Sequence, residues 1–143
     1  MVLILQAAFD AKELERLRNS ESLLRLLVDS IPAFISYIDS EQKYVFANAL
    51  YAEFFGLGTQ PTGLHVSKVL GAETYLKVRT HIEAALRGER QSYEYDLSHG
   101  GKVRHLNAIY VPHMVRGKVK GIIVLGIDVA KRKQIEGQLA EQP

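Results

Sequence analysis

The sequence predicts an α+β domain built on a five-stranded antiparallel sheet. Three observations lead there. Runs rich in β-branched and aromatic residues fall into five segments, two early in the chain and three late. Short polar or glycine-bearing turns separate neighbours within each group, as hairpins require. Apolar patterns of helical period fill the middle and both ends, so strands and helices are segregated rather than alternating.

Residues 10–31, DAKELERLRNSESLLRLLVDSI, read as one helix. Leu17, Leu24 and Ile31 fall seven apart, Leu14 and Val28 take the companion positions, and Glu21 is the polar exception. Such a stripe packs on its own domain or meets a second chain, and the pattern fits both. Pro32 ends the helix, because the residue before a proline disfavours helical backbone. AFISYID (33–39) and KYVFA (43–47) read as strands of a hairpin turned by SEQ (40–42). Asn48 is placed to cap the short helix ALYAEFFG, which Gly56 and Gly58 end. LGTQPTGLH is loop, and VSKVLGAE is a helical turn or two. AETYLKVRTHIEAALRG (72–88) is a longer helix with Tyr75, Val78, Ile82, Ala85 and Leu86 on one face. RQSYEYDLS (90–98), KVRHLNAIYVPHMV (102–115) and VKGIIVLGIDV (119–129) then follow as strands joined at HGG and RGK. After Asp128 the chain turns basic and helix-favouring.

Composition narrows the function. The chain has 143 residues, 47% hydrophobic and 24% charged, the balance of an ordinary soluble domain with a real core. A net charge of +2 gives no footprint for nucleic acid. Without cysteine there is no disulfide, thiol nucleophile or cysteine-ligated metal. The opening MVLILQAAF is far shorter than a membrane span and is soon interrupted by Asp10, Lys12 and Glu13. A cytoplasmic protein, or a soluble piece of a larger one ending at a boundary near Pro143, is expected.

His65, His81, His99, His105 and His113 are scattered without ligand spacing, so no metal site is expected. No serine sits in a nucleophile elbow, and no phosphate-cradling glycine loop occurs. Glu94 and Asp96 share one face of a strand. Enclosed, they could do acid–base work in a small enzyme; otherwise they face water while Tyr93, Tyr95 and Leu97 face the core. Aromatic residues (Tyr37, Tyr44, Phe46, Tyr51, Phe54, Phe55, Tyr75, Tyr110) would crowd between sheet and helices. That composition suits a small-molecule pocket or a filled core.

LLRLLVDSIPAFISYID, KYVFANALYAEFFG, GKVRHLNAIYVP and GKVKGIIVLGIDVAKRKQIEGQL together resemble the PAS domain, a sensory module of bacterial signalling proteins. The likeness covers roughly residues 22–140, and its branch is the one common in sensor histidine kinases and cyclic-di-nucleotide enzymes. It implies an amphipathic dimerisation helix over 1–31, a sensor domain over 32–128 and a signalling linker helix over 129–143. In this family an Asp-Ile-Thr triplet, often followed by Arg-Lys, ends the last strand. Here Asp128, Val129 and Ala130 stand in its place, with Arg132 and Lys133 after them as the rest of the relay. Ala130 lacks the hydroxyl, so capping falls to Asp128. Flavin photochemistry through a cysteine is excluded, and haem would need His81 on the long helix. Otherwise the cofactor is left open.

With strand parity set by Pro112 and Asp128, the ligand-facing set is Leu106, Ala108, Tyr110, Ile122 and Val124 from the last strands. Ser36, Ile38 and Phe46 join from the first strands, and Tyr75, Val78, Arg79 and Ile82 from the long helix. Arg79 suits a carboxylate-bearing ligand or stands exposed. Leu17, Leu24, Val28 and Ile31 are the expected homodimer contacts. The resemblance thus implies a non-catalytic sensor and dimerisation module of a two-component or similar system, with a kinase or other output domain in a parent protein. A ligand-free interaction domain and a small enzyme are the alternatives. Neither nucleic acid nor membrane is expected as a partner.

Overall fold

The computed structural model describes residues 2–141, with side chains described for 10–133, 136 and 137. The chain divides into two units, Met1–Ile31 and Pro32–Pro143. The first is a single helix, α1 (Val2–Ser30), which starts earlier than the heptad pattern predicts because the opening apolar run joins it. Leu17, Leu23, Leu24, Leu26 and Leu27 are each more than half exposed, and Leu14 and Ile31 nearly so. Val28 is partly buried. Local bonds do little to cover this surface. Arg16 pairs with Glu13 at 2.6 Å, and the Ser30 hydroxyl donates to the Leu26 carbonyl at 2.6 Å. No helix among the described residues is long and apolar enough to cross a membrane.

The second unit runs β1 (Phe34–Asp39), β2 (Tyr44–Ala47), α2 (Ala49–Phe55), α3 (Val66–Leu70), α4 (Ala72–Leu86), β3 (Gln91–His99), β4 (Lys102–Val115), β5 (Lys118–Asp128) and α5 (Val129–Glu141). The strands form one antiparallel sheet in the order β2-β1-β5-β4-β3. The architecture is the α+β one that the sequence predicts. The last strand sits in the middle, hydrogen-bonded to β1 on one side and β4 on the other. A tight turn sets the register of β3 against β4. Gly100 and Gly101 have φ of 58° and 78° between the paired His99 and Lys102, the double left-handed geometry that glycine accommodates.

Burial alternates along the strands. Phe34, Ser36 and Ile38 of β1 point inward, as do Leu106, Ala108 and Tyr110 of β4. β2 breaks the alternation. Ser36 pairs with Ala47 and Tyr37 with Phe46, but Ile38 pairs with Tyr44, so Val45 is the extra residue of a bulge. Phe46 therefore shares the outer face with Tyr37 instead of facing the core, which corrects the expectation from simple parity. Tyr44 and Ala47 turn inward in its place. On the same outer face Tyr37 shares a 2.7 Å hydrogen bond with His113 Nδ1. Its ring lies across Gly121, where an added Cβ would come within 2.6 Å of the hydroxyl.

Asn48 ties the front of the sheet to the helices. It is fully buried, and its Oδ1 accepts from Ile35 N at 3.1 Å and from Tyr51 N at 3.2 Å. Its Nδ2 donates to the Ala33 carbonyl at 2.7 Å. One side chain thus caps α2 and fixes the start of β1. Asn48→Ala removes the cap and strands buried backbone groups, so it is expected to cost about 2–4 kcal/mol. Chemical denaturation checks this; a loss below about 1 kcal/mol would show that other groups hold the junction.

Candidate functional site

A cavity lies between the inner face of the sheet and α2, α3 and α4, with about 40 Å³ of free space. It is lined by Phe34, Ser36, Ile38, Tyr44, Tyr51, Val66, Leu70, Ile82, Tyr95, Leu97, Leu106, Ala108, Tyr110 and Val124, together with Leu125 and Gly126. None of these carries a formal charge. The lining polarity is phenolic, with one serine. The hydroxyls of Tyr44 and Tyr51 hydrogen-bond each other, with ring centroids 5.6 Å apart. Tyr110 shares a 2.5 Å bond with Tyr93. Burial pushes the hydroxyls of Tyr44, Tyr51, Tyr95 and Tyr110 well above the usual phenol range, so all four stay neutral.

The sequence-derived set divides against this geometry. Ser36, Ile38, Ile82, Leu106, Ala108, Tyr110 and Val124 line the cavity. Val78 and Ile122 are fully buried in the core without lining it. Tyr75 stands apart, its hydroxyl donating to Gln42 Oε1 at 2.6 Å and its ring edge-on to His65. Arg79 is exposed and paired with Glu83 at 2.9 Å, so it does not supply the cavity with a cation. Its helix face lies beside that of Val78 and Ile82, and one helical step turns it to water. Phe46 is on the other side of the sheet. Sequence reasoning did not place Tyr44, Tyr51, Val66 or Leu70 in the walls. Tyr44 lies two residues from Phe46, so the same parity that points Phe46 inward would have pointed to Tyr44, and Tyr95 and Leu97 follow from β3 alternation.

His81 is also accounted for locally. It stacks on Tyr93 at 3.6 Å and 9°, and its Nδ1 bonds Gln91 Oε1 at 2.8 Å. Among the described residues no group of three or more His, Asp or Glu side chains could hold a metal ion.

A more open cleft of about 400 Å³ lies at the end of β5, lined by Pro32, Phe34, Leu50, Arg104, Asp128, Ala130 and Lys131. Phe34 lines both spaces, packed edge-on against Tyr51 and Phe54. Asp128 Oδ1 accepts the Ala130 N–H at 2.9 Å, at the first turn of α5. Arg132 reaches back to the sheet, with Nη2 3.4 Å from Glu94 Oε1. Lys133 is exposed.

Glu94 and Asp96 are on the outer face, away from the cavity, and flank His105 rather than an enclosure. His105 Nδ1 lies 2.5 Å from Asp96 Oδ1, and Nε2 lies 3.4 Å from Glu94 Oε2. The hydrogen bond to Asp96 is the main cause that raises the His105 pKa.

This arrangement matches a known family. A model described as "PAS fold" matches residues 28–134, and the chain belongs to that family. No curated protein matches the sequence. Among solved structures, the PAS domain of Bordetella pertussis BvgS is 23% identical, with 90% of this chain and 98% of that one covered and a TM-score of 0.55. The PAS domain of an HTR-like protein from Haloarcula marismortui is 17% identical, with 83% and 99% covered and a TM-score of 0.60. The Vibrio cholerae VqmA dimer gives 19% identity and a TM-score of 0.67, with 77% of this chain on 53% of that one. At such identities the likeness carries the fold alone.

The raised His105 value fixes a pH dependence. The pair's stabilisation is fully present below the ordinary histidine value near 6.5 and is lost as pH rises through the higher folded value. Nuclear magnetic resonance titration of the His105 ring should therefore give a midpoint above the ordinary value. In Asp96→Asn it should fall back toward that value; an unchanged midpoint would remove Asp96 as the cause.

Proposed function

We propose that this chain is a non-catalytic sensor and dimerisation module of a signal-transduction protein, taking a small molecule in the inner cavity. The observation that carries this reading is the path of β5. The strand gives the cavity its wall at Val124, Leu125 and Gly126, and two residues later ends at Asp128, where α5 begins. A ligand that shifts the wall shifts the root of the exit helix. Phe34, common to the cavity and the Asp128 cleft, offers a second route. Differential packing of about 1–3 kcal/mol is enough to bias two arrangements of such a junction.

PAS domains generally bind small ligands and act with output domains, and VqmA has been solved bound to DPO. In this reading Asp128 and Arg132, with Lys133 exposed beside them, pass the change through α5 to a kinase or other output domain in the cytoplasm. The first unit supplies a homodimer seam through exposed Leu17, Leu24 and Ile31 with partly buried Val28. A second reading, a ligand-free interaction domain, is favoured by the small free space of the cavity.

Mass spectrometry of the purified protein under native conditions tests the reading, with a stoichiometric small molecule expected and a bare chain against it. Asp128→Ala is expected to speed amide exchange across the first turn of α5 by about 2- to 30-fold, the worth of a lost cap. Unchanged exchange would mean that the strand–helix junction is held elsewhere. Leu17→Glu with Leu24→Glu is expected to convert a dimer to a monomer in sedimentation equilibrium; a persistent dimer would place the seam elsewhere.

A further inference from the structure

The polar groups of the cavity are not all engaged. Two tyrosine pairs satisfy each other, Tyr44 with Tyr51 and Tyr110 with Tyr93. Ser36 lines the space, its backbone held in the sheet, and no hydrogen bond of its hydroxyl is found among the described residues. The Tyr95 hydroxyl likewise lacks a hydrogen-bond partner among the described residues and lines the same space. A hydroxyl that faces the free space and has no protein partner is available to bond a guest there. The free space of about 40 Å³ holds water but is well under the ~150 Å³ that encloses a benzene ring. A ring-sized guest therefore has to turn one wall aside. Tyr95 is the wall that can yield. It is only partly buried, stands on the edge strand β3, and no hydrogen bond anchors its tip.

The absence of charge sets the chemical class. No cation is among the lining residues, and Arg79, the one the sequence pattern would put there, is exposed and paired with Glu83. A carboxylate or phosphate would enter unpaired, at a large desolvation cost. Resting on the reading of this cavity as the ligand site, we propose that it selects an uncharged molecule of about one ring with a hydrogen-bonding substituent, held by Ser36 and Tyr95, and rejects its anionic isosteres.

Benzamide, benzoate and toluene, near-equal in shape, test this by methyl resonance shifts of Ile38, Ile82, Leu106 and Val124 at pH 7. Benzamide is expected to bind at least about tenfold more tightly than benzoate, the least that an unpaired buried charge implies. Ser36→Ala and Tyr95→Phe, which remove little more than an oxygen, should each weaken benzamide by about fivefold and leave toluene unchanged. Benzoate binding as well as benzamide, or both variants leaving benzamide unaffected, overturns the assigned class while the cavity remains a ligand site. Toluene binding where benzamide does not has the same effect. If none of the three moves any of these methyls, the class and the sensor reading of the cavity fall together.

Discussion

The domain depends on the central position of β5. A strand paired on both sides cannot slide without breaking ladders to β1 and β4 together, and its backbone has no free edge. Packing changes at Val124 or Gly126 are therefore carried by a rigid element, with Phe34 opposite Gly126 and Leu106 opposite Asp128. An added Cβ at Gly126 would lie 3.2 Å from Leu106 and 3.4 Å from Phe34, so the two neighbouring strands close tightly over this point. This closely packed point of the cavity wall lies two residues before β5 ends at Asp128, where α5 begins.

Asn48 does for the front of the sheet what Asp128 does for the back. Each is a short polar side chain at a strand–helix junction, accepting backbone N–H groups that would otherwise be orphaned. Their environments differ. Asn48 is sealed in the core, where its bonds are strong and their loss expensive. Asp128 borders an open cleft, where water competes and a cap is worth less. The front junction is thus structural, and the back one is adjustable at small energetic cost. The Arg132–Glu94 pair on the outer face adds a second, solvent-exposed tether of the same modest kind.

Much of this was legible in the sequence, and the failures have particular causes. Segregated strand and helix patterns gave the fold class, and the paired glycines at 100 and 101 marked the tight hairpin whose register brings Tyr95 opposite Leu106. The passage from an apolar strand through Asp128 into a basic helix is visible in the residues themselves. Phe46 did not, because an extra residue in β2 reverses parity and a four-residue strand has too little pattern to reveal it. Arg79 failed for a different reason. Neighbouring helical positions differ by about 100°, so a residue beside the core stripe is assigned by its contacts, and Glu83 one turn on was the available partner. The pairing of tyrosine hydroxyls across elements carries no sequence signal, since it joins Tyr44 to Tyr51 and Tyr93 to Tyr110 by tertiary geometry alone.

The small size of the cavity bears on the proposed relay as much as on the proposed binding. In a roomy pocket a ligand settles without disturbing its walls, and occupancy has nothing to transmit. Here the space is nearly filled, so any ring-sized guest must displace side chains from a close-packed interior, which resists continuous deformation. Displacement at Tyr95 falls on the edge strand β3, whose other face carries Glu94 and Asp96. Glu94 is the residue that Arg132 of α5 reaches. In the proposed relay, a β3 strand shifted from within would thus move the outer anchor of α5, in addition to the effect of β5 on its root at Asp128.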